Sequence, residues 1–176
     1  MFDSIKLKLA RIIVNNKTKH LQLKGNTFNN LLNHSNKFLI LMPESESNFH
    51  FAIEVLNFLE NLDKETVVFA QDYRVTLLPQ KYRPSAIGFN PAEINKFKLP
   101  AADLEGRFRV LQFDAVIDLE KDENLFNSLL ASLVKANIKI GFKKPNSDKY
   151  YSLQINNTED NPEIIYKNLL NCLQMF

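Results

Sequence analysis

The feature that most constrains this chain is a set of short runs that are apolar throughout rather than at alternate positions. Phe38-Leu39-Ile40-Leu41, Thr66-Val67-Val68-Phe69-Ala70 and Ala115-Val116-Ile117 have strand length and offer no polar face to water. Between them lie stretches with helical period: Phe49, Ala52, Ile53, Leu56 and Leu59, then Leu125, Leu129, Leu130 and Leu133. A strand that is apolar on both faces must be covered on both faces, and helices that cross over between parallel strands supply the cover. The pattern predicts an α/β fold: a single Rossmann-like domain with a mostly parallel sheet flanked by helices.

In detail, strands are expected over 38–41, 66–70, 85–89, 114–119, 139–142 and 151–155. Helices are expected over 48–62, 72–78, 122–135 and 161–173, with a short one over 27–32. Pro91, Pro100 and Gly106 break any regular pattern in 90–113. With 45% hydrophobic residues in 176 the chain can bury a core of this kind, and no apolar run approaches the roughly 20 residues of a membrane span.

Charge is uneven along the chain. Residues 1–37 carry seven Lys or Arg against the single acid Asp3, and the remainder has 15 basic residues against 19 acidic ones. On a helical projection Phe2, Ile5, Leu9, Ile12 and Ile13 fall within one arc of about 100°, with Lys8 and Arg11 away from it, which describes an amphipathic basic helix. Residues 1–36 are accordingly read as that helix with an Asn-rich extension, and residues 37–176 as the Rossmann-like domain. Two readings of the helix stand side by side. It packs on its own domain with a solvated basic face, or Lys6, Lys8 and Arg11 meet an anionic membrane or a protein partner. Nucleic-acid binding is not expected, because the rest of the chain is acidic and shows no stripe of aromatics interleaved with Arg. The first residues lack the apolar block and cleavage site of a secretory signal, which predicts a cytoplasmic protein. The lone cysteine, Cys172, reads as helix core.

Ligands of such folds bind at the carboxyl edge of the sheet, near the reversal of strand order. The loops expected there are 42–48, 71–74, 120–124 and 142–146. The first reads Met42-Pro43-Glu44-Ser45-Glu46-Ser47-Asn48, with no glycine and two carboxylates that would repel a pyrophosphate. GxGxxG and GxxxxGK[ST] are both absent from the chain, and no cofactor is expected. His20, His34 and His50 lack metal-ligand spacing, so no metal site is expected. His50 is a proton carrier at the edge or a packing histidine. Ser45 and Ser47 would need a neighbouring base to act as nucleophiles and read as helix caps. Asp114 and Asp118 stand roughly 13 Å apart by strand rise and are not a carboxylate pair. Glu120 is expected to face a cleft, or to be a solvated acid or a cap, and Lys143 and Lys144 to attract an anion or to sit in a solvated turn.

The segment FDAVIDL at 113–119, the Leu-rich helix after it and ANIKIGF at 136–142 carry a family likeness. In order and spacing they resemble the N-terminal half of glycosyltransferase family 9, the ADP-heptose:lipopolysaccharide heptosyltransferases, with their (F/Y)DLVIDL strand, helix and GAKxRIGF strand. Residues 38–41 fall on that family's first strand, 66–70 and 72–78 on its second strand and helix, and 166–173 on its YLxLLxAL helix. The resemblance implies a GT-B N-terminal domain whose carboxyl edge faces a sugar acceptor. It also implies a loss. The family's first turn carries an Arg and then a Gly-Asp pair whose Asp serves as base; here those positions are Met42, Ser47 and Asn48, and an amide is no base at neutral pH. The family's nucleotide-sugar-binding domain would begin where this sequence ends. The expectation is a stand-alone, non-catalytic relative acting as a binding or scaffolding module. Its edge residues Ser45, Ser47, Asn48, Glu120, Lys143 and Lys144 would hold a glycan acceptor or a protein partner, and its basic helix would rest at the inner membrane. The rival expectation is the acceptor half of a split glycosyltransferase completed by a separate nucleotide-sugar-binding chain, with Glu44, Glu46 or His50 as substitute base.

Overall fold

Phe38, Leu39, Ile40 and Leu41 are each fully buried because the strand they form, β1 (Lys37–Leu41), runs through the middle of a six-stranded sheet. In this computed structural model, which describes residues 2–21 and 31–176, the other strands are β2 (Glu65–Gln71), β3 (Ala86–Phe89), β4 (Gln112–Asp118), β5 (Lys135–Phe142) and β6 (Leu153–Ile155). Their order is β3-β2-β1-β4-β5-β6, and every neighbouring pair is parallel. The expected Rossmann-like α/β domain forms, with its order reversing between β1 and β4.

The helices are α1 (Phe2–Thr18), α2 (Leu31–His34), α3 (Glu46–Asn61), α4 (Asp72–Val75), α5 (Ala102–Val110), α6 (Leu125–Leu133) and α7 (Pro162–Leu173). Alternate residues of β1 feed two cores. Phe38 and Ile40 pack with Phe49 and Leu56 of α3 and Tyr166 and Leu169 of α7. Leu39 and Leu41 face the other way, toward Leu104 and Phe108 of α5 and Leu129 of α6. Each such side chain contributes about 1.5–3 kcal/mol relative to an exposed one. Of the helix expected over 27–32, residues 27–30 lie outside the described residues.

All nine residues of α6 are buried. A helix hydrophobic on one face alone would leave the other in water; here α1 covers it, and Ala10 and Val14 of α1 join the second core. α1 thus packs on its own domain, but through only the margin of its apolar arc: Ile13 packs against the second core, whereas Ile5, Leu9 and Ile12 are 53%, 43% and 55% exposed. Two ion pairs set that rotation. Arg11 grips Glu123 through Nε and Nη2, at 3.1 and 2.5 Å. Lys17 pairs with Glu105, which is only 6% exposed. Turning the arc inward would take Lys17 from that buried carboxylate and leave it only Arg109, 3.8 Å away.

Only ten residues, 143–152, join β5 to β6, and their one helical turn is Ser147–Lys149. Parallel crossovers usually take a dozen residues or more, commonly a helix. Tyr150 and Tyr151, both buried, close the second core here in place of a helix. Tyr151 lies flat on Gly141, where an added Cβ would come within 2.9 Å of its ring.

The stretch 90–113 is more regular than its Pro and Gly content suggests. Asn90 and Glu93 form a capping box around the turn Pro91–Glu93, Ile94 bridges Pro100, and α5 then runs straight through Gly106. Leu104 and Phe108, both fully buried, hold α5 in place despite the glycine. A Cβ at Gly106 would meet nothing within 4 Å. Gly106→Ala is expected to raise stability by about 0.5–1 kcal/mol, read as a higher urea midpoint.

Candidate functional site

Each carboxyl-edge loop starts where a strand runs out of partners. Leu41 sits opposite Asp118 in the β1–β4 register, and Asp118 opposite Gly141 in the β4–β5 register. Asp118, fully buried, therefore lies beside the strand-order reversal. Four donors fill its oxygens. The Glu120 backbone N–H and the Asn127 side-chain amide donate to Oδ1 at 3.1 and 3.0 Å. The Tyr151 hydroxyl and the Lys144 ammonium donate to Oδ2 at 2.5 and 2.9 Å. Lys144 also donates to the Glu120 carbonyl at 2.8 Å, and its side chain is 4% exposed. Burial, then the charge of Asp118, holds the Tyr151 hydroxyl well above its ordinary pKa, so it stays a donor. A carboxylate with four donors joins β4, α6 and the loop after β5.

This placement corrects two expectations. Lys144 does not offer an anion its charge, because Asp118 already holds it. Glu120 does not face a cleft: it is buried, and its oxygens accept the backbone N–H groups of Glu44 and Asp122 at 2.9 and 3.1 Å. Burial raises the Glu120 pKa, with those two N–H groups opposing the rise. Glu120 ties the loop after β1 to the loop after β4. Asp114, at the other end of β4, accepts from the backbone of Asn36 and Lys37.

The remaining edge residues are dispersed. Ser45 caps α3 by accepting from the Asn48 N–H, and its hydroxyl meets that of Ser47 at 2.8 Å. Asn48 is 7% exposed. Glu44, Glu46, His50 and Lys143 are exposed, and the His50 ring meets Phe51 edge-on. Arg11, expected on a membrane or partner surface, is engaged by Glu123 instead; Lys6 and Lys8 are exposed. At the edge of β2, Arg74 lies over the Phe49 ring with its Nη1 buried and without a hydrogen-bond partner among the described residues. Its place in the edge loop 71–74 was legible; its lack of a partner was not.

Crevices open at both edges of the sheet. One of about 300 Å³ opens beside the strand-order reversal, between α1, the turn at Phe97-Lys98 and the start of α6, with Glu44 on its wall. Nothing in the sequence pattern singled out Phe97 or Lys98, because the turn that presents them is made by Asn95, whose side chain accepts the N–H groups of Phe97 and Leu99. A second crevice of about 470 Å³, with His20 on its wall, lies at the opposite, amino edge of β4 and β5. Lys139 lines it, with its ammonium bonded to the Ser132 carbonyl at the end of α6.

Fold and edge together define a doubly wound α/β domain whose switch point is closed by its own polar side chains. The chain belongs to a family of unknown function, DUF6913, whose model matches residues 6–176. No curated protein and no solved structure matches it.

Proposed function

We propose that this domain is a non-catalytic binding module that docks on an anionic membrane surface through α1. The observation that carries the reading is the outward stripe of Ile5, Leu9 and Ile12, on the side of α1 away from the buried Ala10 and Val14. At 100° per residue Lys8 borders that stripe on one side and Lys6 on the other, and no acid occurs between Ser4 and Pro43. An exposed apolar stripe between cations fits the headgroup boundary of an anionic bilayer, where each nearby Lys is worth about 1 kcal/mol. Among the described residues no helix is long and apolar enough to cross a membrane. The closed edge and the buried Asn48 support the absence of catalysis. The parallel sheet order is that of the Rossmann-like plan which the heptosyltransferase resemblance implies, a plan that many unrelated domains share.

Co-sedimentation with vesicles tests the reading. The wild-type chain is expected to bind phosphatidylglycerol vesicles and to ignore phosphatidylcholine ones. Either Ile5/Leu9/Ile12→Gln or Lys6/Lys8→Glu should weaken binding at least tenfold. Equal sedimentation of wild type and both variants would end the proposal.

A further inference from the structure

The polar groups at the switch point are engaged with one another, but the crevice beside them is lined by charges that are not. Lys6 and Lys98 both reach its wall, and neither enters an ion pair among the described residues. Of the two carboxylates on the wall, Glu123 is neutralised through both oxygens by Arg11, which leaves Glu44. Two ammonium groups against one open carboxylate favour an anion. Leu7, Phe97 and Leu125 supply the apolar part of the lining, and about 300 Å³ is the lower end of the range that small-molecule sites occupy. The position also counts, since doubly wound sheets bind ligands beside the reversal of strand order.

The Lys98 stem is held in place before any ligand arrives. Its backbone is left-handed, with φ 58°, and its N–H donates to the Asn95 carbonyl at 2.9 Å. The Asn95 side chain fixes the residues on either side by accepting from Phe97 and Leu99 at 2.9 and 3.2 Å. A charge on an ordered turn loses less freedom on binding than one on a loose loop.

We propose that this crevice binds a small organic anion, with its carboxylate or phosphate head at Lys6 and Lys98 and its apolar body against Leu7, Phe97 and Leu125. The inference stands apart from membrane docking: Lys6, at the border between the two sides of α1, serves both, but the crevice is completed by Lys98 and docking by Lys8 and the outward stripe.

The test is a fluorescence titration of the full chain with 8-anilinonaphthalene-1-sulfonate, an organic anion with an apolar body. It is run in the Ile5/Leu9/Ile12→Gln background, so that the outward stripe contributes nothing. One saturable site is expected, with affinity at least tenfold weaker in Lys6/Lys98→Ala and unchanged in Lys167→Ala, a distant exposed lysine. Octanoate or octyl phosphate should displace the probe, and the better of the two identifies the head group; octylamine should not. Both crevice lysines are surface residues, so unchanged circular dichroism and urea midpoint are expected for the double variant. The proposal fails if no saturable site appears, if Lys6/Lys98→Ala binds as the background does, or if octylamine competes as well as octanoate. Vesicle binding is read separately, so loss of either result leaves the other standing.

Discussion

Asp118→Ala is expected to cost about 3–5 kcal/mol of folding stability, a large part of what a single domain holds. The substitution removes the carboxylate that pairs with Lys144, whose side chain is 4% exposed, and leaves an ammonium without its counter-charge in the interior. It also takes the acceptor from the amide of Asn127 and leaves the hydroxyl of Tyr151 with Ser128 alone, 3.1 Å away. Each unsatisfied buried group adds about 1–3 kcal/mol. Removing the pair together is a different matter. Asp118→Leu with Lys144→Met replaces two charges by apolar groups of similar size, so the double variant is expected to recover the part of the loss owed to the unpaired ammonium, while the Asn127 amide stays without its acceptor. Urea unfolding at pH 7 followed by circular dichroism measures both. A loss below about 1 kcal/mol for Asp118→Ala would mean that water reaches the cluster and that the edge is open.

The same cluster shows where sequence reading stopped. The strands were legible because parallel sheets bury both faces, and runs such as Phe38–Leu41 have no polar alternation. Helices α3, α6 and α7 were legible from their buried stripes, and the carboxyl-edge loops followed from the topology. What Asp118, Glu120 and Lys144 do there was not legible, because the partners that join them to other elements lie 9 to 76 positions away, and one-dimensional spacing carries no trace of such pairings. Asp118 next to Glu120 looks like two solvated acids until the crossover after β5 brings Lys144 and Tyr151 over them.

The first helix shows the limit in another way. Its apolar arc is real, yet the domain takes the opposite side, because small Ala10 and Val14 fit against α6 while Arg11 and Lys17 reach Glu123 and Glu105 across the junction. Helical periodicity points to the most apolar face, which is the buried face only when nothing else fixes the rotation. Here two ion pairs fix it, and Ile5, Leu9 and Ile12 of the arc are left outside. In 90–113 the reverse held: Pro and Gly suggested irregularity, whereas Leu104 and Phe108 at one-turn spacing decided the helix. Packing outweighed a propensity penalty of about 1 kcal/mol for Gly106.

Lys139→Met is expected to stabilise the protein at pH 7, and the gain is expected to vanish in alkali. Lys139 is 9% exposed, and burial alone pulls its pKa from the ordinary 10.5 to about 8. The folded state therefore resists the charged form. Below about pH 8 the amine is protonated both folded and unfolded, and the folded state bears the full cost of desolvating it. Between about 8 and 10.5 the unfolded chain holds a proton that the folded chain has released, so wild-type stability rises with pH across that window. Met, similar in length and uncharged, escapes the cost but gives up the bond from the Lys139 amine to the Ser132 carbonyl, worth about 1 kcal/mol. The balance is a gain on the order of 2 kcal/mol at neutral pH. Above the ordinary lysine pKa only the lost hydrogen bond remains, and the sign reverses. Paired urea titrations of variant and wild type from pH 7 to pH 11 read the difference directly, since the other titrating groups are common to both. A variant less stable than wild type at pH 7 would show that the negative end of α6, acting on the Lys139 ammonium through its last carbonyls, outweighs the burial.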